Sequence, residues 1–512
     1  MTCSIPATIP DFERKDIPMN DLLKLTIREI ASLYAARKLS PSEYWLAVEA
    51  RVAAFEPHVQ ALYLYDPENA REQAAASTAR WAKGKTLGPL DGIPVTLKEL
   101  IATKGQPVPL GTAAVELVPA TEDAPIAARM REDGAVIFAK TTCPDYGMLS
   151  SGLSSFHHLS RNPWDLTQNP GGSSAGAAAA GAAGFGPLHI GTDIGGSVRL
   201  PAGWTGLFGF KPSQGRIPVD PYYVGRCAGP MTRTVEDAAI SMATLSRPDW
   251  RDGTSLPPND FDWLDSAIDV KGMKIGLMLD AGVGLAVDED VREAVIAAAK
   301  RFEEAGAIVI PVGPVITRQM LDGLDNFWRA RFWGDIEKMP EERRALILPY
   351  IYEWAKGGAH VSGVEAVRGF NQTIEMRKTC GKLFTTVDTV ISPTNPIVSY
   401  PAEWASPTND PALPFEHIGF TVPWNMSEQP ASSINCGFSK SGMPIGLQIV
   451  GPRYDDLLVL KLSRAFEQWT GGISQWPEPP EESYSLFLLF RPSVSERYRG
   501  TITPLPRSIR AT

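Results

Sequence analysis

Four side chains in this sequence could do nucleophilic chemistry together: Lys98, Ser173, Ser174 and Ser197. The serines sit in two turns of small residues, Gly171-Gly172-Ser173-Ser174 and Asp193-Ile194-Gly195-Gly196-Ser197. Two Gly before a Ser let backbone come close to a ligand and aim N–H groups at a developing negative charge. Lys98 ends an otherwise apolar run, Ile93-Pro94-Val95-Thr96-Leu97-Lys98. An amine desolvated in that position loses its proton more readily and can serve as a base. A serine hydroxyl needs such a base, and Ser–Lys pairs are one solution. On spacing alone, Lys98 is equally a surface lysine paired with Glu99, Ser173 a helix cap, and Ser197 a turn serine.

Other chemistries find less support. Gly172-Ser173-Ser174-Ala175-Gly176 matches the GxSxG nucleophile elbow, but that elbow needs a strand immediately before it. Residues 162–170, NPWDLTQNP, read as a loop instead, which makes Ser174 a poor nucleophile. The six histidines form no HExxH pattern, and no Walker A or strand-borne GxGxxG motif is present. No metal and no cofactor are therefore expected.

The 512 residues are 44% hydrophobic and 21% charged, which is ordinary globular composition. A net charge of −9 argues against a nucleic-acid or membrane-surface partner. The uncharged stretch between Asp165 and Asp193 is Gly, Ala, Ser, Asn and Pro rather than Leu, Ile and Phe, so it is not read as membrane-spanning. The N-terminal residues show no basic region followed by an apolar core, so no secretory signal is expected. The five cysteines (Cys3, Cys143, Cys227, Cys380, Cys436) are scattered without metal or redox spacing and fit reduced thiols in a cytoplasmic protein.

Elements that could hold the four side chains follow from local patterns. Thr26 with Glu29 and Ser40 with Glu43 form two capping boxes, each opening a helix. Helices are expected over 67–83, 125–132, 288–305 and 455–469, and strands over 93–98, 135–140, 273–279, 307–310, 387–392, 432–438 and 445–450. This alternation implies an α/β fold. Its core would be a large, twisted, mixed and mostly parallel β-sheet covered on both faces by helices. Residues 1–19 read as a lead-in and 20–480 as a single domain, with a core over about 90–235 and a variable helical region over about 257–372. Residues 481–512, first apolar and then basic with prolines, form an atypical tail whose options include docking on the body and self-association.

The motifs together resemble the amidase signature family of Ser-Ser-Lys hydrolases. The resemblance rests on Lys98 in PVTLK, on Gly-Gly-Ser-Ser at 171–174 and on GTDIGGSVRLPA at 191–202. It extends through residues 91–95, 141–147, 161–165, 209–212, 229–234, 421–425 and 442–452, covering roughly 20–475. It implies that Ser197 is the nucleophile and Lys98 the base. Ser173, on a cis peptide, would be the proton bridge between them. Ile194, Gly195, Gly196 and Ser197 would supply oxyanion-binding N–H groups, with Ser174, Thr192, Asp193 and Arg199 in support. The implied activity is hydrolysis of a small apolar or aryl amide, with an ester as a side substrate. A glutamine-hydrolysing amidotransferase A-type subunit is the alternative, and a homodimer is left open. Ala175 stands where the family commonly has a third Gly. Trp328, Phe332, Trp333, Tyr350, Tyr352 and Trp354 enrich the variable region in aromatics, suited to core or pocket, and Cys227 is read as an inert thiol.

Overall fold

Local sequence rules set most of the element boundaries. In the computed structural model, which describes residues 19–480, both capping boxes form. Thr26 and Ser40 each accept the N–H of the glutamate three residues on, opening the helices Ile27–Ala35 and Pro41–Val59. The helices Pro67–Ala82, Pro125–Glu132, Glu289–Glu304 and Asp456–Thr470 lie where the sequence places them. The lead-in apart from Met19, the tail 481–512 and Cys3 lie outside the described residues. No helix among the described residues is long and apolar enough to cross a membrane.

One mixed sheet of 11 strands runs through the molecule. In chain order the strands are β1 (Leu62–Tyr63), β2 (Pro94–Lys98), β3 (Val136–Thr141), β4 (Leu188–Asp193), β5 (Phe208–Lys211) and β6 (Cys227–Thr232). They continue with β7 (Lys274–Leu277), β8 (Ile308–Pro311), β9 (Thr389–Pro393), β10 (Ala431–Phe438) and β11 (Pro444–Val450). Their spatial order is β1-β3-β2-β4-β6-β5-β10-β11-β9-β7-β8. The α/β class and mixed sheet agree with the sequence reading, but the expected predominance of parallel pairs does not hold. Parallel pairing is confined to β3-β2-β4 and β9-β7-β8, and the other six junctions are antiparallel. Four of those six involve strands the sequence reading does not place, β1, β4, β5 and β6, the last three being the short, Gly- and polar-rich sequences LHIGTD, FGFK and CAGPMT. β4, β5 and β6 are buried along their whole length, so their glycines and polar residues face protein rather than solvent.

Strand alternation sorts the central residues between the two faces. Val95 and Leu97 of β2 join Leu188 and Ile190 of β4 in the main core. Thr96 and Lys98 therefore point to the opposite face, where Thr96 Oγ1 meets His189 Nδ1 at 2.8 Å. That face is covered by the helix Ala175–Ala183, every residue of which is fully buried. Only small residues permit so close an approach. A Cβ at Gly176 would collide with the Ala61 carbonyl, and one at Gly191 of β4 would stand 2.6 Å from Ser174 Oγ. The packing thus brings the N-terminus of this helix, with Ser173 and Ser174 just before it, over the end of β2 where Lys98 stands.

Candidate active site

Lys98 is fully buried, and its Nζ donates to Ser173 Oγ at 2.7 Å and to Ser174 Oγ at 3.1 Å. Burial lowers its pKa to about 8, and the Arg226 guanidinium pushes the same way against Cys143, Asp193 and Glu99. A substantial fraction of the amine is neutral near that pH and can take a proton. Ser174 Oγ in turn donates to the Thr192 carbonyl at 3.2 Å and accepts the Thr192 N–H at 3.3 Å. Ser174 and Thr192 thereby tie the lysine to β4. The Gly172–Ser173 peptide is cis, as the resemblance implies.

β4 delivers the second turn. Asp193, at its end, is fully buried and gathers the turn around its carboxylate. Oδ1 accepts from Gly196 N at 2.8 Å, Arg199 Nη2 at 2.9 Å and Asn425 Nδ2 at 2.8 Å. Oδ2 accepts from Val198 N at 3.1 Å and Arg199 Nε at 3.0 Å. Burial alone would raise this pKa, but the Arg199 charge and these hydrogen bonds hold it well below the usual carboxylate range. Arg199, also fully buried, spends its remaining donors on Gln448 Oε1, Asn425 Oδ1 and the Thr421 carbonyl. Cutting Asp193 to Ala leaves that guanidinium without its anion. Urea denaturation is expected to show a loss of about 3–5 kcal/mol.

This network corrects one sequence expectation. The Gly196 N–H faces Asp193 and is engaged there, because it closes the turn from inside. The N–H groups of Ile194, Gly195 and Ser197 meet no protein acceptor among the described residues. Ser197 is half-buried and lines the same cavity as Ser173, Thr192, Ile194 and Gly195, while its carbonyl accepts the Ser174 N–H at 3.3 Å.

The cavity has a volume of about 480 Å³, in the range of small-molecule sites. Its walls are largely apolar, with Leu100, Met148, Trp328, Phe332, Phe415 and Ile418 among them. Of the six aromatics noted in the sequence, Trp328 and Phe332 reach the cavity. Trp354 packs behind Phe332 and Phe415, Trp333 sits against Tyr352, and Tyr350 Oη hydrogen-bonds Ser406 and the Asp410 carbonyl. Cys227 pairs with Asp193 across the β4–β6 ladder and does not line the cavity, and burial pushes its thiol up to about 11. Sequence reasoning assigned no role to Asn425, Gln448, Arg226, Arg331 or His417. Asn425 was within a recognised stretch, but its bond to Asp193 spans a sequence separation that no local pattern reports.

Beside the site, Glu99, Cys143 and His157 bring donor atoms within 4.8 Å of one another. The carboxylate is already occupied there by the Leu110 and Gly111 N–H groups, the thiol and the imidazole, so these bonds satisfy Glu99 without an ion.

The family model described as Amidase matches residues 44–460, a span that holds Lys98 and both serine-bearing turns. The chain belongs to the amidase family. It is an amidase-type hydrolase. The amidase is 32% identical over 496 residues to the glutamyl-tRNA(Gln) amidotransferase A-type subunit of Chloroflexus aurantiacus, covering 90% of this chain and 99% of that one. It is 31% identical over 453 residues to an acylamidase of Rhodococcus erythropolis, covering 86% and 95%. Among solved structures, a bacterial aryl acylamidase of the amidase signature enzymes superposes with a TM-score of 0.79 at 29% identity, covering 90% of the amidase and 98% of that chain.

Proposed function

We propose that this amidase hydrolyses a small apolar or aryl amide through an acyl-enzyme on Ser197. The observation that carries the reading is the buried Lys98 amine, 2.7 Å from Ser173 Oγ, in a mostly apolar cavity that Ser197 also lines. Neutral Lys98 accepts a proton from Ser173 as Ser173 accepts one from Ser197, and Ser197 Oγ attacks the amide carbonyl. The N–H groups of Ile194, Gly195 and Ser197, free of protein acceptors, receive the oxyanion. Each such donor contributes about 3 kcal/mol, on the order of a hundredfold in rate. The proton then returns through Ser173 to the leaving nitrogen, the C–N bond breaks, and water releases the acid by the same relay. An ester, with its better leaving group, enters the same path as a side substrate. The aromatic walls and the likeness to an acylamidase and an aryl acylamidase support the substrate class.

Trapping tests the nucleophile. A slowly deacylating aryl ester should leave a covalent adduct whose peptide mass maps to Ser197. An adduct on Ser173 or Ser174 instead would overturn the assignment. A second reading, a glutamine-hydrolysing amidotransferase component, is favoured by the 32% identity to such a protein. It predicts glutaminase activity that emerges only with a partner protein, and amidase activity of the isolated chain on aryl amides counts against it.

A further inference from the structure

Two guanidinium groups at the cavity wall close no ion pair among the described residues. Arg226 and Arg331 both line the cavity, one from the loop before β6 and the other from the helix Arg318–Ile336. Arg226 is half-buried, and its one side-chain hydrogen bond goes from Nη1 to the Pro221 carbonyl at 2.8 Å. Arg331 Cζ lies over the Tyr223 ring, 3.8 Å from its centre, and 5.2 Å from that of Phe332. Neither arginine forms an ion pair among the described residues. Asp220 and Asp335 also reach the cavity wall, and neither closes an ion pair with them. Tyr223, whose ring lies beneath Arg331, has its Oη buried without a hydrogen-bond partner. Burial and then the nearby Arg331 lower the Arg226 pKa to about 10 against a smaller opposing pull from Asp220 and Asp252, so the desolvation of this charge is only partly offset within the protein.

Arg199, by contrast, has an aspartate and three further acceptors around its guanidinium. A cation left without such company at the wall of a substrate cavity has its natural counterpart in the ligand. We infer that the amide taken by this cavity carries a carboxylate, seated on Arg226 and Arg331 with Tyr223 Oη as a further donor. The guanidinium fork suits a carboxylate, and one solvent-facing and one half-buried arginine allow it to enter from solvent and then be partly desolvated. The aromatic wall receives the apolar part of the same molecule. This inference rests on the amide-hydrolysis reading above and narrows its substrate class.

Four amides separate the possibilities. In 4-acetamidobenzoate the carboxylate is on the amine side and in 4-carbamoylbenzoate on the acyl side. Their neutral counterparts are 4-methylacetanilide and 4-methylbenzamide. Calorimetric binding to a Ser197→Ala variant reads the anion preference independently of turnover. One carboxylate is expected to bind at least about tenfold tighter than its methyl counterpart, and which one identifies the side that faces the arginines. Adding Arg331→Gln or Arg226→Gln should bring that ratio toward one, and Arg331, being exposed, is the variant least prone to folding defects. Equal or weaker binding of both carboxylates, or a preference that persists in both Gln variants, overturns the inference. Turnover of the neutral pair by the unmodified enzyme reads the amidase proposal separately.

Discussion

Replacing Ser197 by Ala is expected to reduce kcat/KM on an aryl amide by at least about 10⁴-fold, as removal of a nucleophile does in other serine hydrolases. Stability should change by no more than about 0.5 kcal/mol. The two outcomes differ because the hydroxyl and the turn are held by different atoms. The turn is fixed by the Asp193 carboxylate on Gly196 N and Val198 N, and the link to Ser174 uses the Ser197 carbonyl. None of these bonds involves Ser197 Oγ. The half-buried hydroxyl faces a cavity, so its loss leaves no orphaned partner in the core. Parallel measurements of turnover and of urea denaturation test this. A variant that keeps more than a few per cent of activity removes Ser197 from the role of nucleophile, and one that unfolds early shows that its hydroxyl also holds the turn.

What could be read in the sequence here follows the reach of each interaction. Lys98 stood out because a charge at the end of an apolar run needs an explanation, and the explanation lies on the facing helix at Ser173 and Ser174. The capping boxes were legible because their bonds span three residues. Strands β4, β5 and β6 were not, since they are short and the Gly and Pro within them read as turns. Their absence from the sequence reading, with that of β1, hid four of the six antiparallel junctions. The aromatic stretch around Trp328 was ambiguous for a related reason. Trp328 and Phe332 lie four residues apart on one helix face and reach the cavity, whereas Trp333 turns off that face onto Tyr352. Nothing local marks which face meets empty space. The Arg199 network joins Asp193 of β4, Gln448 of β11 and Asn425 of the short helix Val422–Met426, three distant segments that only the folded chain brings together.

Lys98→Met is expected to abolish amide turnover and at the same time to stabilise the protein at neutral pH. The first effect follows from the relay, which has no other base within reach of Ser173. It should equal or exceed about 10³-fold, with wild-type kcat/KM rising as pH passes about 8, where Lys98 loses its proton, and levelling above it. The second effect follows from linkage. In the unfolded chain this lysine holds its proton up to about its ordinary 10.5, and in the folded protein only up to about 8. Below pH 8 both states are protonated and folding bears the full cost of burying the ammonium, on the order of 3 kcal/mol. Between pH 8 and 10.5 the unfolded state binds more protons, so this cost shrinks as pH rises. Methionine fills a similar volume without charge. Against its gain stands the hydrogen bond lost by Ser173, about 1 kcal/mol, while Ser174 keeps its contacts with Thr192. Net stabilisation of about 1–2 kcal/mol at pH 7 should therefore fade toward pH 10. Urea denaturation at both pH values, beside the pH–rate profile, separates this from a structural lysine. A lysine that merely braced the helix start would lose stability on substitution at either pH, and its variant would keep the wild-type profile.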